Sequence, residues 1–189
     1  RGRCRYCHCK IPVRGFFIEI FGGVIGVFCF YRFGFEYETI LMFVIAMILL
    51  AITMIDFDTM TIPDGLNMTM FLVCLVLMFV RQMSLVDSII GMFCISLPMF
   101  LLNLVIPDSF GGGDIKLMFA SGIALGWKYS LLAAFIGILI AGIYCIYLIL
   151  TKKVDKKGHI AFGPYLSIGI FIALCYGYEI ISWYLNLLM

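Results

Sequence analysis

The chain has 189 residues, 64% of them hydrophobic and 13% charged, with a net charge of +2 and a mean hydropathy of +1.13. Soluble domains carry about 25% charged residues, and one chain of this length cannot hide so much apolar surface from water. A water-soluble enzyme is therefore excluded and an all-α polytopic integral membrane protein expected, with the lipid bilayer as its first partner; the small net charge argues against nucleic acid.

In chain order, residue 1 is Arg rather than Met, and the opening segment is basic and cysteine-bearing, without the charged-then-apolar leader of a signal peptide. A fragment lacking some N-terminal part is expected. Measured against the roughly 20 residues a helix needs to cross a bilayer, apolar stretches predict about seven transmembrane helices, over 16–33, 39–56, 65–80, 85–106, 115–127, 129–150 and 162–188. The fifth is short and would have to thin the bilayer, enter partway or merge with the sixth. Pro98 and the Gly163-Pro164 pair predict kinks or late helix starts. The spacings Gly22 to Gly26 and Gly137 to Ala141 predict close helix packing. No linker or repeat divides the apolar part, so 16–189 is expected to be one membrane-embedded domain, preceded by a cytoplasmic cysteine-containing segment, 1–15.

Short cytoplasmic loops carry the excess of Lys and Arg. With the N-terminal segment inside, alternation puts ten of the thirteen basic residues there: Arg1, Arg3, Arg5, Lys10, Arg14, Lys116, Lys152, Lys153, Lys156 and Lys157. Arg32, Arg81 and Lys128 fall outside. The segments after Asp56 and before Asp114 then open to the same, cytoplasmic, face.

Acids at the edges of membrane helices are functional candidates because a charge there is costly. A helix turns about 100° per residue, so Asp56 and Asp58 point to nearly opposite faces; Asp56 lies on the apolar side and is the one expected to act. Pro63 is expected to stop this helix, and Asp64 to cap the next. Further on, Gly111, Gly112 and Gly113 precede Asp114. Asp114 is either a helix N-cap or an acid beside which glycine backbone lets a substrate strand lie. Were Asp56 and Asp114 within hydrogen-bonding reach, they would share one proton and titrate as a pair. The ionised member could then activate a water while the other protonates a carbonyl oxygen.

The run Asp56-Phe57-Asp58-Thr59-Met60-Thr61-Ile62-Pro63-Asp64, the run Gly111-Gly112-Gly113-Asp114-Ile115-Lys116, and the opening Arg3-Cys4-Arg5-Tyr6-Cys7 with Pro12 and Glu19 beyond it together resemble type IV prepilin peptidases. These are bacterial inner-membrane aspartic proteases of the GxGD kind, and the resemblance covers essentially the whole chain. It implies that Asp56 and Asp114 are the catalytic acids. It also implies that the basic leader of type IV prepilins or pseudopilins, in pilus assembly or type II secretion, is cleaved after a glycine at the cytoplasmic membrane face. Many members methylate the new amino terminus with S-adenosylmethionine, and a full-length member has about eight spans, so part of the methyltransferase module would lie outside this chain.

A C-x-x-C pair in a cytoplasmic segment is more often a metal site than a disulfide. Cys4 and Cys7 would supply half of the four ligands of a structural zinc, the resemblance placing the other pair upstream; His8 and Cys9 are weaker alternatives. Cys29, Cys74, Cys94, Cys145 and Cys175 lie in apolar runs as small packing residues. Glu19 is expected to pair with Arg14 or a backbone donor near the interface, or to help receive a basic leader. Lys116 is expected to anchor at the headgroups or to stabilise negative charge near the acids. Rival functions are a transporter or proton channel using Asp56 and Asp114 as an ion relay, for which no inverted repeat is visible, and a non-catalytic scaffold, which leaves the glycine run unexplained.

Overall fold

The structure, a computed structural model, describes residues 13–107, 109–151 and 161–188. Regular structure among them is helical: α1 (Val13–Phe33), α2 (Tyr37–Thr59), α3 (Asp64–Val80), α4 (Leu85–Val105), α5 (Gly112–Leu150) and α6 (Gly163–Leu188). Helices satisfy their own backbone polar groups, which lipid requires. Five of them are long and apolar enough to cross a membrane, and the 17-residue α3 is shorter. Large apolar side chains such as Val27, Phe79, Leu104 and Ile143 face outward, whereas Met42, Ile45, Met70, Leu117 and Ile170 are enclosed. The protein is a multi-pass membrane protein.

The 39 residues of α5 do not form one rod. Gly126 sits at φ 68°, ψ 175°, the left-handed side of backbone space that glycine alone enters freely. Asp114 before it and Cys145 after it line the same cavity, although a straight helix would hold them about 46 Å apart at 1.5 Å per residue. The chain therefore doubles back at Gly126, and 112–125 and 127–150 run antiparallel. The expected fifth and sixth spans are thus joined without a loop yet opposed in direction. A side chain at the bend would be strained by this positive φ and would also displace the Asp87 carboxylate, since a Cβ on Gly126 would lie 2.6 Å from Asp87 Oδ2.

Side-chain pairs give the bundle two ends. Arg14, at the start of α1, pairs with Asp58 near the end of α2, and Lys116 near the start of α5 pairs with Asp64 at the start of α3. At the opposite end Arg32 pairs with Glu179, and Arg81 with Glu38. Between the ends α5 packs on α3, α4 and α6, and α1 lies outermost against α2. Glycines permit the tightest contacts: a Cβ on Gly122 would run into the Gly91 carbonyl oxygen, and one on Gly169 into that of Ala133. Gly22 and Gly26 pack on Met47 and Phe43 of α2, and Gly137 on Leu166 of α6. Pro98 lies within α4 without ending it. Gly163 begins α6, with Pro164 in its first turn, where a missing N–H costs nothing.

Two expectations about the α2–α3 connection are corrected. Pro63 does not stop α2; the helix ends at Thr59, where Met60 turns left-handed (φ 51°) and donates its N–H to the Asp56 carbonyl. Asp64 does not cap α3 either, because Pro63 occupies the cap position and Asp64 is the first helical residue, its carboxylate held by Lys116.

Candidate active site

Asp56 lies one turn before the end of α2 and Asp114 in the first turn of α5. Both are nearly enclosed, at 4% and 7% exposure, and both line one cavity of about 660 Å³ at the same end of the bundle. Asn103, Ser109, Ala141, Cys145 and Phe162 share the lining, and the rings of Phe110 and Phe162 meet at 5.9 Å, tilted by 51°. Charged side chains inside proteins are ordinarily paired, yet neither acid has a cationic partner among the described residues. Asp56 Oδ2 accepts the N–H of Gly163 at 3.0 Å. Asp114 Oδ1 is buried with no hydrogen-bond partner.

The helical phase separates Asp56 from Asp58 as expected. Asp58 is about half exposed and meets Arg14 at 2.7 Å. Asp64 and Lys116, more exposed still, meet at 2.6 Å. Lys116 is thus engaged with Asp64 rather than with the buried acids. Glu19 is exposed on α1, and the expected pairing with Arg14 is not found, because Arg14 reaches across to Asp58 and to the Met54 carbonyl.

The glycine run matches neither alternative, a helix N-cap at Asp114 or an open strand-like backbone beside it. Gly111 is the cap residue of α5, at φ −64°, and Gly112 and Gly113 already belong to the helix, so Asp114 is a first-turn residue rather than an N-cap. The need for glycine here is close approach, not unusual dihedrals. A Cβ on Gly111 would lie 2.9 Å from Asp114 Oδ2 and one on Gly113 2.7 Å from the Ile62 Cβ, whereas Gly112 faces open space.

Three contributors escaped the sequence. Gly163 was legible as a helix start but not as the donor to Asp56, 107 residues away. Ile62 fills the space beside Gly113. Buried Asn67 donates to the Gly113 carbonyl at 3.3 Å; a polar residue in the apolar run of α3 was the one available signal. Cys4, Cys7, His8 and Cys9 lie outside the described residues, and among the described ones no three His, Cys, Asp or Glu side chains gather as a metal set.

An apolar helical bundle with two buried acids opening into one terminal cavity defines a membrane protein with an acid pair. Residues 43–146 match the Type IV leader peptidase family. The chain belongs to that family. Among its relatives are proteins named prepilin leader peptidase/N-methyltransferase. The one from Aeromonas salmonicida is 30% identical over all of this chain and 67% of its own length, and the one from Aeromonas hydrophila is 31% identical over 98% and 66%. That from Legionella pneumophila is 31% identical over 98% and 67%. The chain thus spans about two thirds of the length of these relatives. No solved structure matches it.

Proposed function

We propose that residues 16–189 are the peptidase domain of a prepilin leader peptidase, an aspartic endopeptidase that cleaves the basic leader of type IV prepilins or pseudopilins after a glycine. The observation that carries this is the shared cavity of Asp56 and Asp114, two buried acids from distant parts of the chain with no cation among the described residues to neutralise them. Two carboxyl groups in such a site hold one proton between them. The ionised one draws a proton from a water as it attacks the scissile carbonyl. The protonated one gives its proton to the carbonyl oxygen; as the tetrahedral intermediate collapses, the proton taken from the water passes to the leaving amine and the second carboxylate takes back the proton of the carbonyl-derived hydroxyl.

The setting is a bacterial inner membrane with about seven passes in this chain. The aspartate end faces the cytoplasm, since Arg14, Lys116 and the 152–157 lysines would otherwise lie on the outer side. There a prepilin's basic leader reaches the acids while its apolar helix stays in lipid. Residues 1–15 belong to the N-terminal module, and methylation of the new amino terminus by S-adenosylmethionine would be the work of the full-length protein. Zinc would need Cys4 and Cys7 with ligands from elsewhere, since the described residues offer no set that fits it. No step of the hydrolysis passes through either group.

The test is leader release from a prepilin by the full-length protein and by its Asp56→Asn and Asp114→Asn variants. Loss of cleavage in both is expected. Retained cleavage in either removes the two-acid mechanism, and proton flux without cleavage by the unaltered protein would point to an ion relay.

A further inference from the structure

The two acids are held by elements that meet at a single side chain. On one side, the Gly163 N–H, at the start of α6, donates to Asp56 Oδ2 at 3.0 Å. The first N–H groups of a helix have no partner within it, so this donor is free to point at a carboxylate. A Cβ at position 163 would lie 2.8 Å from that same Oδ2, 3.2 Å from Asp56 Cγ and 3.2 Å from Ile62 Cδ1. On the other side, a Cβ at position 113 would lie 2.7 Å from Ile62 Cβ and 3.2 Å from its Cγ1. Gly113 immediately precedes Asp114. Ile62, 8% exposed, therefore stands as a spacer between the helix start that carries Asp114 and the helix start that orients Asp56, and both neighbours lack a side chain where it touches them.

We infer that Gly163 and Ile62 are positioning residues for the acid pair: Gly163 sets the orientation of the Asp56 carboxylate through its N–H, and Ile62 sets the distance between the α5 and α6 starts. This rests on the peptidase proposal. Neither residue touches the bond to be cut. Each acts through an aspartate, and acid–base catalysis is sensitive to placement, a displacement near 1 Å costing about a hundredfold in rate. A side chain at 163 displaces the Asp56 carboxylate from its donor. Loss of Ile62 Cδ1 lets the α6 start drift without disturbing the Ile62 contacts to Gly113.

The experiment measures kcat and KM for prepilin cleavage by the full-length protein carrying Gly163→Ala or Ile62→Val, the latter deleting Cδ1 alone, with melting temperatures taken alongside. Gly65→Ala serves as control, since Gly65 is exposed at the same end and a Cβ there meets nothing within 4 Å. The inference expects kcat to fall about a hundredfold for Gly163→Ala and about threefold for Ile62→Val, with KM within about threefold and Gly65→Ala unchanged. Unchanged kcat in Gly163→Ala at native melting temperature overturns it, as does a rise in KM at constant kcat. Should Gly163→Ala melt early, Ile62→Val decides alone, assayed well below its melting temperature: lowered kcat supports the inference and wild-type kcat ends it. Asp56→Asn run in parallel separates the two claims, because cleavage surviving in that variant sinks the peptidase mechanism itself.

Discussion

The two ends of the bundle handle charge in opposite ways. At the far end every arginine is answered: Arg81 binds Glu38 and the Leu174 carbonyl, and Arg32 binds Glu179 and the Cys175 carbonyl, tying α1, α2, α3 and α6 together. At the aspartate end the two cations among the described residues, Arg14 and Lys116, are occupied by the exposed acids Asp58 and Asp64, while the buried acids Asp56 and Asp114 go without. A buried acceptor left unsatisfied costs about 1–3 kcal/mol, and natural proteins accept such violations chiefly at working sites. The exposed acids hold the two described cations that stand at the same end as the buried pair.

The sharpest way to break this comparison is to exchange effects between the ends. Asp56→Asn or Asp114→Asn should lower prepilin turnover at least about a thousandfold, in the range general acid–base groups contribute, with the melting temperature held or raised because a buried acid has been removed. Cleavage assays and thermal melts on the same preparations check both halves. A large loss of stability in either variant would mean that the acids are structural, like those of the far end.

Next in size is Gly122→Ala, remote from both sets of charges. Its methyl group would meet the Gly91 carbonyl and lie 2.8 Å from Met92 Cα, forcing α4 and α5 apart at a cost of about 1–3 kcal/mol, read as a lowered melting temperature with turnover per folded molecule retained. Arg81→Ala follows at about 1–2 kcal/mol, below the cost of breaking a fully buried pair because Arg81 and Glu38 are about a fifth to a quarter exposed. It too should spare turnover. A cleavage defect in Arg81→Ala at full stability would join the two ends functionally and dissolve the contrast.

What the sequence disclosed follows the same division. Helical phase and hydropathy were enough to place Asp56 inside and Asp58 outside, because both depend only on local geometry and on where apolar residues fall. Hydropathy divided the fifth and sixth spans near Lys128 but left open whether the short fifth thins the bilayer, enters partway or merges with the sixth. That the turn between them rests on one left-handed glycine against Asp87 was not legible, since it needs the position of α4. The partners of Arg14, Lys116 and Glu179 were likewise hidden, because long flexible side chains choose partners according to how neighbouring helices rotate. The contacts of Gly163 and Ile62 were hidden most deeply of all. A backbone N–H is the same in every sequence, and only the approach of α6 to α2 turns this one into a carboxylate ligand.

The smallest expected effect tests the idea that the exposed acids divert the cations. Lys116→Ala leaves Asp64 unpaired at the surface, where the ion pair is more than half exposed on both sides and contributes no more than about 1 kcal/mol, screened by salt. Stability should change within that limit, and the change should shrink between low and high ionic strength. Asp64→Asn removes the same pair but leaves a free lysine at the start of the helix that carries Asp114. If the exposed acid only anchors Lys116, the two variants cleave alike. If it keeps the cation from the buried pair, Asp64→Asn alone loses turnover, by about two- to fivefold at low salt, and recovers as salt is raised. Equal turnover in the two variants at every ionic strength would reduce the Asp64–Lys116 pair to an ordinary surface contact, leaving the solitude of Asp56 and Asp114 to be explained by burial alone.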